Sequence, residues 1–132
     1  APADVLATGY VNPSITVTTG TRALVLVQFR ALSKSTLGGE SGDLESTYVS
    51  VAVSGATTIA ASDAYSARHS GIFPQYVDGD LSAKTTLSNP NSFFRWFTTL
   101  TPGSNTFTLH SRGTTSTNAR VTGPGMVVIP FG

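Results

Sequence analysis

The chain has 132 residues, a formal net charge of +1, no cysteine and only 11% charged side chains, against 36 serines and threonines and two lysines. Disorder requires low hydrophobicity with high net charge, which a hydrophobic fraction of 39% excludes; the missing cysteines exclude a disulfide scaffold and a thiolate metal site. Helix surfaces are filled by Ala, Leu, Glu, Lys and Gln, whereas the polar residues here are mainly Ser and Thr interspersed with 13 glycines, so the composition predicts one all-β domain over residues 1–132.

In chain order, Ala1-Pro2-Ala3-Asp4 carries neither a basic nor an apolar leader pattern, so a chain without a signal peptide is expected. Ser14–Thr19 alternates, with Ile15 and Val17 opposite Thr16 and Thr18, and predicts a strand closed by Gly20. Residues 22–32 predict a second strand, apolar on both faces from Ala23 to Val27. That run falls far short of the roughly 18 residues a membrane-spanning helix needs, and a soluble chain without membrane insertion is expected. After an acidic, Gly-rich loop at 38–43, residues 47–54 alternate Val49, Val51 and Val53 with Tyr48, Ser50 and Ala52. Shorter strands are predicted at 57–61 and 64–68, then a loop or edge at 71–81, where Pro74 and Gly79 interrupt the pattern. Residues 91–100 place Phe93, Arg95 and Phe97 opposite Phe94, Trp96 and Thr98. A turn at Thr101-Pro102-Gly103-Ser104 leads into a strand at 106–112, and a last strand is predicted at 125–131. Seven or eight short strands without helical periodicity predict a β-sandwich, a jelly roll of about eight antiparallel strands.

Three strands are apolar on both faces: Ala23 to Val27, Phe93 to Phe97 and Met126 to Ile129. A two-sheet sandwich covers one face of each strand, so a second cover is needed, and so few charges favour another subunit over a loop. Val25, Val27, Phe93, Phe97, Val127 and Ile129 are expected in the core. Leu24, Leu26, Phe94, Trp96 and Met126 are expected on the opposite face, as the subunit interface. A slip of one residue in register would exchange the two sets.

The eight cations are scattered and never adjacent, unlike the clustered charge of nucleic-acid binders, so no nucleic-acid partner is expected. His69 and His110 lie in no nucleophile setting and no Gly-x-Ser-x-Gly elbow occurs, so no catalytic residues are assigned. Asp78-Gly79-Asp80 is a carboxylate pair open to glycoside hydrolysis or calcium binding, and Glu40, Asp43 and Glu45 form a looser set. Both read more simply as turn chemistry, and no metal or other cofactor is expected. Tyr65, His69 and Tyr76 are candidates for surface or glycan contact, since Tyr presents a flat apolar face with a polar tip.

Asp4-Val5-Leu6-Ala7-Thr8 leads into Pro13-Ser14-Ile15-Thr16-Val17-Thr18-Thr19-Gly20-Thr21-Arg22-Ala23-Leu24-Val25. Near the other end, Leu100-Thr101-Pro102-Gly103-Ser104-Asn105-Thr106-Phe107-Thr108-Leu109 precedes the closing Met126-Val127-Val128-Ile129-Pro130-Phe131. Together these motifs resemble jelly-roll modules of tailed-bacteriophage virion proteins, especially those of phages of actinobacteria, modules that are themselves similar to C1q/TNF-like trimeric heads. The resemblance covers both ends but not residues 33–90. It implies a non-enzymatic homotrimer on the surface of the phage particle, partnered by the major capsid protein or a tail fibre and reaching a host surface glycan. A chain this short suits a capsid decoration protein, and a tail-fibre head equally. The rival readings are a carbohydrate-binding module of a secreted bacterial protein and a small hydrolase using Asp78, Asp80 or His69.

Overall fold

The computed structural model describes residues 11–34, 44–72, 86–113 and 119–132. Seven strands lie among the described residues: β1 (Ser14–Thr19), β2 (Arg22–Lys34), β3 (Leu44–Gly55), β4 (Ala67–Ile72), β5 (Thr86–Phe97), β6 (Gly103–Gly113) and β7 (Ala119–Phe131). They form two antiparallel sheets, one in the order β1-β6-β3-β4 and the other β5-β2-β7. The protein is an all-β sandwich. No helix among the described residues is long and apolar enough to cross a membrane.

The main strands overlap the segments where alternation predicts them, but β5 runs Thr86–Phe97 rather than 91–100 and β7 starts at Ala119 rather than 125. Residues 57–61 contribute only an isolated bridge, Ile59 to Val53. The strand expected at 64–68 starts later, at Ala67, because Ser62 caps a single 3-10 turn over Asp63–Tyr65 by accepting from the Ala64 amide.

Alternate residues of β2 (Ala23, Val25, Val27, Phe29 and Ala31) are buried and face Val49, Val51 and Val53 of β3 together with Phe107 and Leu109 of β6. Phe97 meets Phe107 edge-on across the two sheets at 5.5 Å. Burying each Val, Leu or Phe side chain among these stabilises the fold by roughly 1.5–3 kcal/mol. Phe93 packs against this core. On the flank where β4 and β5 approach each other, the Arg95 guanidinium lies between the rings of Tyr65 and Phe97, at 4.3 and 4.2 Å. It also donates to the Val51 carbonyl at 3.4 Å, so an inward-pointing cation closes the side of the sandwich without being left unpaired.

The last strand overturns part of the expected pattern. Met126 and Val128 pack against the core, while Val127 and Ile129 are exposed. The cause is a bulge: Gln28 pairs with Gly125 but Arg30 pairs with Thr122, so Phe29 faces two residues, Gly123 and Pro124. Gly123 takes a positive φ of 55°, and proline has no amide to lose from the ladder. The inserted residue shifts the alternation, so Val121 faces inward before it and Met126 after it. Met126 is therefore corrected from the outer face to the inner one, and Val127 and Ile129 from the core to the outer face.

One end of the sandwich is tied by Asn105, which is fully buried. Its amide nitrogen donates to Thr19 Oγ1 at 2.8 Å and to the Thr101 carbonyl at 3.0 Å, and its Oδ1 accepts from the Thr57 amide at 2.8 Å. One side chain thus joins the β1–β2 turn, the segment after β3 and the β5–β6 turn. Gly55, at φ 102°, lets β3 leave the sheet beside Ser104, whose carbonyl accepts from the Ala56 amide.

Candidate functional site

The two sheets expose opposite chemistry. On the outer face of β5-β2-β7, Leu26 lies between Phe94 and Val127, and Leu24 between Trp96 and Ile129. Phe94 is 65% exposed, Val127 55%, Trp96 49% and Leu26 41%. Trp96 also reaches Phe131, ring centroids 5.3 Å apart. Beside Leu26 and Phe94 this face holds a shallow depression of about 450 Å³ that runs on to Ser92, Gly125 and Val127. Leu24, Leu26, Phe94 and Trp96 thus stand where alternation expects them; Met126 does not.

The outer face of β1-β6-β3-β4 is hydroxylated and charged. Across β1 and β6, Ser14 pairs with Thr108 at 3.1 Å and Thr16 with Thr106 at 2.7 Å. Further along, Arg68, Tyr48 and Arg112 form one row across β4, β3 and β6, with the Arg112 guanidinium 4.3 Å and that of Arg68 5.4 Å from the Tyr48 ring centroid. Arg68 also donates twice to Ser46 Oγ, at 3.1 and 3.0 Å. Arg112 forks onto the Asp63 carboxylate, with Nε at 2.9 Å from Oδ1 and a further contact from Nη2 to Oδ2. That bond holds the Asp63 carboxyl below its ordinary range and raises Arg112 above its own.

The 3-10 turn is pinned over this face. The buried Ser50 hydroxyl accepts from the Ser62 amide at 3.2 Å and donates to the Tyr65 carbonyl at 3.3 Å. Ser66 Oγ donates to the Asp63 carbonyl at 2.8 Å. Between turn and sheet lies a depression of about 350 Å³, lined by Tyr48, Ala52, Ala60, Ala61, Asp63, His110 and Arg112 among others.

Of the residues expected to make surface contacts, Tyr65 is 61% exposed with one ring face on Arg95. His69 is corrected: it is only 6% exposed. It sits opposite the buried Thr47 in the β3–β4 ladder, and burial lowers its pKa. Among the described residues, its Nε2 and the Thr47 hydroxyl have no hydrogen-bond partner. Tyr76, Asp78, Asp80, Glu40 and Asp43 lie outside the described residues, as does the Glu45 side chain. Among the described residues, no three His, Asp or Glu side chains converge in a metal-binding group.

Asp63, Arg112 and Asn105 are absent from the sequence-based candidates. Alternation places Tyr48 and Ala52 on one face of their strand, and His110 and Arg112 on one face of theirs. It carries no signal that those strands are neighbours, or that a turn 49 residues before Arg112 folds back onto it. No family model, curated protein or solved structure matches the chain.

Proposed function

We propose that the chain is a structural, non-enzymatic module of a tailed-bacteriophage particle, assembling as a homotrimer through the outer face of β5-β2-β7. It would decorate and stabilise the capsid or form the head of a tail fibre, with the major capsid protein or the fibre as its neighbour. The carrying observation is the apolar face. At roughly 150–250 Å² per aromatic side chain, the exposed fractions of Phe94, Trp96 and Phe131 alone amount to on the order of 300 Å². With Leu26, Val127 and Ile129 added, the face supplies much of the roughly 800 Å² that each partner buries in a standard interface. Its occupant is read as another copy of this chain because the terminal motifs resemble modules of trimeric heads.

The strand order supports the jelly-roll reading. An eight-stranded jelly roll winds between two sheets, and β1-β6-β3-β4 with β5-β2-β7 is the order expected of such a winding with one edge strand fewer among the described residues. A second reading, a carbohydrate-binding module of a secreted bacterial protein, takes support from the depression beside Tyr48.

Sedimentation equilibrium at micromolar concentration tests the assembly. The expected mass is three times the 13.7 kDa chain, and a monomer overturns the self-association. Labelling of phage particles with an antibody against the chain tests the location. Label at capsid threefolds or at a tail tip supports the reading, and its absence from particles overturns it.

A further inference from the structure

We propose that the depression between the Asp63–Tyr65 turn and the outer face of β3 and β6 binds one uncharged pyranose ring of a saccharide. Its size comes first. Ligand pockets run from roughly 300 to 1,000 Å³, and at about 350 Å³ this one holds a single ring rather than a peptide or a dinucleotide. Its chemistry narrows the class. Ala52, Ala60 and Ala61 offer a small apolar surface for the C–H face of a sugar, beside a carboxylate acceptor at Asp63 and a guanidinium donor at Arg112.

The pairing of Asp63 with Arg112 leaves little net charge at the rim, and the carboxylate opposes a phosphate or an acidic sugar. A flat base is disfavoured as well, because the guanidiniums of Arg112 and Arg68 lie over the Tyr48 ring it would need for stacking. A puckered ring carrying hydroxyls fits what remains: vicinal hydroxyls donate to Asp63, and a hydroxyl or ring oxygen accepts from Arg112. The groups are held in place before the ligand arrives, since Ser50 fixes the turn at Ser62 and Tyr65 while the ion pair fixes it at Asp63. Preorganisation of this kind removes much of the ordering cost of binding.

The site lies on the opposite sheet from the apolar face, so it stands or falls independently of self-association. The test is a titration of ¹⁵N-labelled protein with the methyl pyranosides of glucose, galactose, mannose and N-acetylglucosamine, with glucuronate and inorganic phosphate as charged comparators. At least one neutral pyranoside is expected to shift amides at 48–52, 60–63 and 110–112 saturably, with a Kd on the order of 1 mM for so small a contact. Asp63→Asn is expected to weaken it by about tenfold, the worth of a hydrogen bond to a charged group. Ala52→Val, a substitution suited to a strand, sets two methyl groups on the apolar wall where the ring would lie and is expected to weaken binding about tenfold. Titration with oligomers of the responding sugar separates the two sources: affinity that rises with chain length identifies a polysaccharide, and unchanged affinity identifies a free sugar. No response to any neutral pyranoside, preference for glucuronate or phosphate, or binding unchanged by Ala52→Val overturns the proposal.

Discussion

The outer faces of the two sheets are built by the same alternation around one core, yet one presents Phe94, Leu26, Val127 and Trp96 while the other presents Ser14, Thr16, Thr106 and Thr108 with a paired Asp63 and Arg112. The inner faces satisfy folding equally. The difference therefore lies in the outer faces alone, one apolar and the other hydroxylated and charged. Ser and Thr line much of the polar face beside Arg68, Arg112 and Asp63, in keeping with a chain that has only 11% charged residues.

The sharpest break of this contrast uses neighbours on β2. Val25 is fully buried and Leu26 is 41% exposed. Val25→Asp places an unpaired carboxylate in the core and is expected to cost about 4 kcal/mol or more, read as loss of the cooperative transition in urea. Leu26→Asp is expected to leave that transition within about 1 kcal/mol of wild type while abolishing the proposed self-association in sedimentation. Equal effects of the two substitutions on folding would erase the distinction between the faces.

Asn105 sets how firmly the turns at one end are held. Asn105→Ala leaves the Thr57 amide and the Thr101 carbonyl without their partner. Those two bonds are part-buried and the one to Thr19 Oγ1, lost with them, is buried; at roughly 1–3 kcal/mol for a buried group left unsatisfied, a loss of about 2–3 kcal/mol is expected in denaturant unfolding. The apolar and polar faces are expected to lose order together, as seen by amide exchange on both sheets.

Acid separates an inner group from an outer one. Burial lowers the folded pKa of His69 below its ordinary 6.5, so both states are neutral above that value and stability there does not depend on this residue. As pH falls below about 6.5, the unfolded chain takes up a proton that the folded chain resists. Stability then drops by at most about 1.4 kcal/mol per pH unit, until pH passes through the folded pKa. Denaturation midpoints from pH 7.5 to 4.5 are expected to show this slope, and His69→Leu to flatten it.

Asp63 titrates lower. The hydrogen bond from Arg112 depresses its pKa, so its contribution is present above the ordinary carboxylate range and is lost as pH falls through the lowered value. The pair is largely exposed, so Asp63→Asn is expected to change stability by less than about 1 kcal/mol at neutral pH, the smallest effect of the series. A larger loss would mean that the turn supports the fold as well as the depression.

Period-two alternation is a local property, and what it determined here is local: an all-β chain, the positions of its main strands, and which strands are apolar on both sides. Leu24, Leu26, Phe94 and Trp96 were legible on the outer face because their strands run without interruption through the segments that carry them. Met126 was not, because the bulge at Gly123 and Pro124 shifts the inward set by one residue, and a run of four apolar residues hides the shift. His69 looked like a loop histidine beside Arg68, and only its pairing opposite Thr47 buries it. Asn105 falls between the expected turn at 101–104 and the expected strand at 106–112, where alternation assigns it no role. Its partners, and the meeting of Asp63 with Arg112, depend on which strands become neighbours. That choice belongs to the tertiary structure, because burial of both inner faces selects one register among many that satisfy the same alternation.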